Sequence, residues 1–528
     1  DTATSLFVEA GAGSGKTRSL VNRVLTLVEQ SVPIERIAAV TFTEKAGAEL
    51  RDRLRIALEA VAESEEDPDA CARAERALES LDLAPIGTLH SFAQRILTMF
   101  PVQAELPPLL EVLDEVASSV AFESRWSVMQ RELLDDDSMT DGLLLALATG
   151  AKFDQFRSLA RAFGNDWDLI QERVLDRPAE VFRVPASAFL AEEARVLARY
   201  ADECRDPSDL FLGHLAAFGQ WAERLDYATS DGERFAVVAE AAALKTSYGK
   251  AANWSDLAGL KEQCKQFQAR AAEVAGHFAE AALRPIARWI AERVYSSADE
   301  RRREGKLEFH DLLVLARDLV RRDPEVRALL QQAFPKLLLD EFQDTDPIQI
   351  ELAARIAGGA AAVEEDWRNI EVPQGSLFVV GDPKQSIYRF RRASIEMYMT
   401  AQQHIGESVA LSTNFRTVEP ILEWVNATFG QVIQRTDNAQ PEYRPLVAHR
   451  TAGGTGFPVA ILGAEQHLDK PDAATLRERE ADDVVSATLD RIAEAGLAVV
   501  SLPMCNMYLQ DRQAGRTPRR RGVTLLHE

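Results

Sequence analysis

Eight residues near the start of the chain, Ala10, Gly11, Ala12, Gly13, Ser14, Gly15, Lys16 and Thr17, have the types and spacing needed to hold a row of phosphates. Glycines let successive backbone N–H groups turn inward onto anionic oxygens. The lysine reaches the β- and γ-phosphates, and the hydroxyl after it is placed to ligate Mg2+. A second group stands far downstream, where the apolar run Leu337-Leu338-Leu339 ends in Asp340 and Glu341. Asp340 is suited to holding Mg2+ directly or through water, and Glu341 to orienting and deprotonating an attacking water. Alone, an Asp-Glu pair at a strand end is usually a solvated turn. Beside a phosphate loop it completes a nucleoside-triphosphate site. In Gly381-Asp382-Pro383-Lys384-Gln385-Ser386-Ile387-Tyr388-Arg389-Phe390-Arg391, a glutamine precedes interleaved aromatics and arginines. Such a loop can touch nucleotide on one side and a stacked base on the other. Phe415 and Arg416 form a last pair, suited to stacking adenine and to stabilising γ-phosphate charge.

These residues need a frame. A phosphate loop requires a strand before it and a helix after it. Leu6-Phe7-Val8 supplies the first, with Ala10 in the place of a glycine tolerated if it ends that strand, and Arg18 to Glu29, with Leu20, Val24, Leu27 and Val28 on one stripe, supplies the second. Ile37-Ala38-Ala39-Val40 reads as a buried strand, Thr43 as the cap of a helix carrying Leu50, Leu54, Leu58 and Val61, and Ile86-Gly87-Thr88-Leu89 as the lead into a helix from His90 to Phe100. Strand patterns return at Lys336–Leu339, Leu377–Val380 and Val409–Leu411. Short apolar strands alternating with helices predict an α/β fold with a parallel, doubly wound sheet, which binds ligands at the carboxyl ends of its strands. Between about Glu105 and Val294 the pattern changes to long Ala/Leu/Glu/Arg-rich amphipathic segments holding Trp126, Trp167, Trp221, Trp254 and Trp289. This predicts an all-helical insertion.

Composition sets wider bounds. The 528 residues, 46% apolar and 27% charged, are those of a globular protein of roughly two to four domains. Cys71, Cys204, Cys264 and Cys505 are too scattered for a metal knuckle or a disulfide framework, so a reducing cytoplasm fits. Neither a membrane span nor a signal peptide is read, and no membrane is expected as partner. A net charge of −23 argues against a surface that binds nucleic acid all over, but not against a local groove.

Taken together, six blocks in fixed order resemble the UvrD/Rep-like branch of superfamily 1 DNA helicases, and within it the RecB/AddA-type recombination helicases. The blocks are AGAGSGKT at 10–17, VTFTEKAGAELRDRL at 40–54, GTLHSF at 87–92, LDEFQDTDPIQ at 339–349, VVGDPKQSIYRFRRA at 379–393 and LSTNFR at 411–416. The resemblance implies ATP and Mg2+ as cofactors, with Lys16 and Thr17 on phosphates and metal, Asp340 on the metal, Glu341 on the water, Gln385 sensing the γ-phosphate, Phe415 on adenine and Arg416 on the γ-phosphate. Single-stranded DNA, alone or as the tail of a duplex, is expected to cross Thr41, Phe42, Thr43, Thr88, His90 and Ser91, with Tyr388 and Phe390 stacking bases. A recombination-complex subunit is the expected protein partner.

The implied layout is a RecA-like lobe at 1–104 and 295–405, the helical insertion at 105–294, the start of an incomplete second lobe at 406–500, and a basic tail at 501–528 containing Arg512, Arg516, Arg519, Arg520 and Arg521. The tail reads equally as a DNA-touching segment and as an aberrant end. Neither the late Gly-rich motif, nor the second-lobe arginine, nor a nuclease block is found. Only nine residues precede Ala10, so the adenine-reading Gln segment is missing too, and the chain reads as the amino-terminal part of a larger motor. The alternative is an ATP- or DNA-binding subunit without turnover. An ABC/SMC-type ATPase would need an LSGGQ-like signature, which the sequence lacks.

Overall fold

The structure, a computed structural model, describes residues 2–64, 67–179, 182–389, 392–451 and 472–494. Phe390 and the basic tail 501–528 lie outside the described residues. The backbone divides into two units, Asp1–Ser412 with Gln434–Tyr443, and Thr413–Ile433 with Arg444–Glu528.

The strands, in chain order, are β1 (Leu6–Ala10), β2 (Ile37–Thr41), β3 (Ile86–Thr88), β4 (Glu111–Val112), β5 (Lys306–Leu307), β6 (Lys336–Leu339), β7 (Leu377–Gly381), β8 (Glu407–Leu411), β9 (Thr413–Val418) and β10 (Val447–Arg450). Six of them form one sheet in the order β3-β2-β6-β7-β1-β8, and its pairings are all parallel. Successive residues of a strand face opposite sides. Phe7, Ala38, Val40, Leu337, Leu339 and Val379 therefore enter one apolar layer, while Val8, Ala39, Leu338, Phe378 and Val380 enter the other. Burial on both faces is what a parallel sheet requires. It also explains why these strands read as unbroken apolar runs. With every strand pointing the same way, the segments that follow β1, β2, β3, β6 and β7 all emerge on one rim.

Two expected boundaries move. The sequence places the end of the first lobe at 405, yet β8 runs over Glu407–Leu411 and pairs with β1 along Leu6–Ala10. It is an edge strand of the first sheet, with β1 as its one neighbour there, whereas the next strand, β9, pairs with β10. The sequence places the end of the insertion at 294, but one helix runs from Leu257 to Glu304 and stops only where Gly305 takes up a left-handed conformation. A compositional change is a poor marker of a helix end when charged residues continue the same turn pattern.

From Asp114 to Glu304 the described residues are helices and their connections. They enclose their own core, with Trp126, Trp221, Trp254 and Trp289 buried among Phe211, Phe218, Phe267 and Phe278. The insertion is stitched at its base: β4 and β5, just before and just after it, pair in parallel over two residues. In the second unit, β9 and β10 pair in parallel and the helix Glu419–Val432 buries Leu422. Among the described residues no helix is long and apolar enough to cross a membrane.

Candidate nucleotide site and nucleic-acid rim

Ala10 is the last residue of β1 and fully buried. The phosphate loop follows, and Lys16 and Thr17 open the helix Lys16–Glu29. Gly15 sits at the helix start with φ 90°, a left-handed conformation that a side chain would strain, so glycine is required where the loop turns into the helix. Ser14 folds the loop on itself, its hydroxyl donating to the Gly11 carbonyl at 2.7 Å. No side chain caps this helix, which leaves its first N–H groups to an anion.

Across the rim, β6 delivers Asp340 and Glu341. Lys16 Nζ lies 2.6 Å from Glu341 Oε2, joining residues 325 apart in sequence. Glu341 has φ 47°, an unusual conformation for a residue with a side chain, of the kind that costs about 1 kcal/mol or more and persists where surroundings enforce it. Asp340 is buried, and its backbone N–H donates to the Val40 carbonyl at 2.9 Å. Burial first, and then the neighbouring negative charge of Glu341, push its carboxyl up to about 6, against the pull of Lys16. Burial likewise raises Asp344. An acid so disfavoured as an anion calls for a cation, and an uncapped helix start with a lysine calls for phosphate. The residues therefore fit Mg2+-nucleotide, with Thr17 and Asp340 as the side chains that would hold the metal.

The β7 loop is tied to the same carboxylate. Gln343, 2% exposed, donates from Nε2 to Glu341 Oε2 at 2.8 Å, while its Oε1 accepts the Asp382 N–H at 2.8 Å. Ser386 Oγ donates to the Gln343 carbonyl at 3.0 Å. Gln385 in turn donates to Asp382 Oδ2 at 2.7 Å. A Cβ on Gly381 would lie 2.9 Å from Gln343 Oε1, so glycine is what lets the two segments approach. Sequence reasoning assigned no role to Gln343. Its only local signal is its position two residues after Glu341.

Along the rim, Phe42 and Tyr388 meet with ring centroids 4.7 Å apart, and His90 meets Phe309 edge-on at 5.6 Å. Each pair joins two segments remote in sequence. Of the hydroxyls expected beside DNA, Thr43 caps the helix Glu44–Ala62 by accepting from the Ala46 N–H, and Thr88 caps Leu89–Met99 by accepting from the Ser91 N–H. Thr41 and Thr88 are only 3% and 8% exposed, and their hydroxyls donate to the Thr43 and Gly87 carbonyls and to Glu44. They shape the rim from beneath. Phe42, Thr43, His90 and Ser91 are more exposed.

The model of the UvrD/REP helicase N-terminal domain matches residues 1–406. The chain belongs to that family. Among curated relatives, an ATP-dependent helicase/nuclease subunit of Levilactobacillus brevis is 28% identical, over 91% of this chain and 42% of its own length. The protein of the same name from Carboxydothermus hydrogenoformans is 27% identical, over 88% and 41%, and that from Geobacillus thermodenitrificans 26%, over 97% and 45%. The chain thus spans less than half the length of the curated relatives it matches.

In this UvrD/REP-type lobe the structure brings Lys16, Asp340, Glu341 and Gln385 into one hydrogen-bonded group. Phe415 and Arg416 belong to the second unit. There Phe415, about half exposed, packs on His449 with centroids 4.8 Å apart, and the backbone N–H of Arg416 is held by Asn414 Oδ1 at 2.8 Å.

Proposed function

We propose that this chain hydrolyses ATP with Mg2+ and uses the cycle to move along single-stranded DNA, as the amino-terminal motor part of a recombination helicase acting in double-strand-break repair. The observation that carries the reading is the 2.6 Å approach of Lys16 to Glu341, which unites phosphate-loop cation and water-activating base in one site. Lys16 holds the β- and γ-phosphates, Thr17 and Asp340 hold the metal, and Glu341 accepts the proton of the attacking water. Bound Mg2+ supplies charge neutralisation of the phosphates. Gln385 reads the γ-phosphate from the loop that also carries Tyr388. Phe42, His90 and Tyr388 offer faces on which bases stack irrespective of sequence, and Phe415 and Arg416 are the residues proposed for adenine and the γ-phosphate.

The relatives are named as subunits, which supports a partner subunit for this protein too. The test is ATP turnover with and without an oligothymidylate, in wild type and Lys16→Ala. DNA-stimulated turnover that the substitution removes supports the reading. ATP binding without turnover in wild type would leave a nucleotide-binding subunit instead.

A further inference from the structure

Arg392 has no role in the nucleotide or DNA reading above, yet its guanidinium meets three carboxylates and a histidine. Its backbone is left-handed, φ 68°, and its N–H donates to the Arg389 carbonyl at 3.1 Å, at the end of the segment that bears Gln385 and Tyr388. A non-glycine residue keeps such a conformation only where its surroundings hold it. They do so through the guanidinium. Nη1 and Nη2 lie 3.2 and 3.3 Å from the two carboxylate oxygens of Asp168, Nε lies 3.4 Å from Asp166 and 3.5 Å from Asp346, and Nη1 is 3.1 Å from His310 Nε2.

Asp168 comes from the helical insertion, and its side chain is 0% exposed. It also receives His310 and Arg317, each at 2.9 Å. Burial raises its carboxyl, but the hydrogen bond from His310 and the charges of His310, Arg392 and Arg317 outweigh this and hold it well below the usual carboxylate range. The neighbouring Trp167 donates to Asp311 at 2.8 Å, and Arg301 grips that carboxylate with two bonds of 2.7 Å. Arg317 and Trp167 already tie the insertion to the lobe. Arg392 is a further bond, and what it reaches is the loop.

We propose that Asp168 and Arg392 form a clasp through which the helical insertion fixes the carboxyl-terminal end of the β7 loop. Gln343 fixes the other end at Asp382, so residues Asp382 to Arg389 are held in the shape that presents Gln385 to nucleotide and Tyr388 to DNA. Both are positioning residues, and the inference rests on the function proposed above. A mooring role alone predicts lost thermal stability without any change in the loop.

The experiment uses Asp168→Asn, Arg392→Gln and their combination in the 528-residue chain. Hydrogen exchange is followed in peptides covering Asp382 to Arg389, with binding of a fluorescein-labelled oligothymidylate and of a fluorescent ADP analogue. Either single variant is expected to speed exchange in this segment about tenfold or more and to weaken the oligonucleotide about fivefold or more, with ADP affinity held within about twofold. The double variant adds little to either single change, as coupled residues require. Arg392→Lys, which keeps the charge, recovers part of the protection. Arg392→Gln leaves Asp168 its bonds to His310 and Arg317, so it stays informative if Asp168→Asn fails to fold. Wild-type exchange and affinity in Arg392→Gln, with only a lower melting temperature, overturn the clasp. A wild-type chain that binds no oligothymidylate overturns the DNA reading instead, and loop exchange still decides the clasp.

Discussion

Asp340 shows how a site residue opposes the fold that carries it. Its carboxyl is raised from 3.8 to about 6, so the folded state binds the proton more tightly than the unfolded one. Stability therefore falls as pH rises from about 4 to about 6, and the penalty is fully present above that. Asp340→Asn should stabilise the chain by up to about 3 kcal/mol near neutral pH, with the gain vanishing near pH 4, while turnover is lost. Denaturant melts at the two pH values check this, and a variant less stable near neutrality sinks it. Glu341→Gln keeps shape but loses the base. ATP affinity by titration should survive while turnover drops about 10²–10⁴-fold, and equal loss of both would make Glu341 structural. Gln343→Leu removes the link between Glu341 and Asp382 and leaves a buried N–H unpaired, at about 1–3 kcal/mol of stability. Its turnover should fall at saturating ATP with little change in ATP affinity; a change in affinity alone would contradict a positioning role.

At the scale of elements, the parallel strands were legible because burial on both faces writes itself as an apolar run. Lys336–Leu339 is read with the observed ends, and Ile37–Val40 and Leu377–Val380 each miss one residue. The order β3-β2-β6-β7-β1-β8 was not legible, since it depends on pairings across hundreds of residues. Nor were the contacts of the β7 loop: Gln343 reaches Asp382 across 39 residues and Arg392 reaches Asp168 across 224, distances at which no periodicity operates. The motifs named Lys16, Glu341 and Gln385, but not what ties them together. The rim makes its own prediction. Phe42→Ala should weaken oligothymidylate binding by about 1–3 kcal/mol, the value of one base-aromatic stack, and change duplex binding less. Unaltered affinity with a lower melting temperature would make Phe42 a packing partner of Tyr388 and no more.

For the molecule as a whole, what counts is that the insertion has a core of its own beside the two that sandwich the sheet. Trp221, 2% exposed, lies in it against Phe267 with centroids 5.1 Å apart. Trp221→Ala should remove about 3–5 kcal/mol from that core. Calorimetry should then resolve an early transition, while the ADP analogue still binds below it. One transition that shifts as a whole would mean that the cores melt as a unit.

The short pairing of β4 with β5 reaches further than its two residues suggest. Hydrogen-bonded strands lie about 5 Å apart, so the backbone leaves the lobe and re-enters it at nearly one point, and the sheet meets the same edge whatever is spliced between. The insertion is in that sense an exchangeable cassette, free to lengthen or shrink without disturbing the phosphate loop, provided it stays a crossover long enough to bring β5 in parallel to β4. A graft that lacked acids in the places of Asp166 and Asp168 would leave Arg392 with nothing from the insertion to hold.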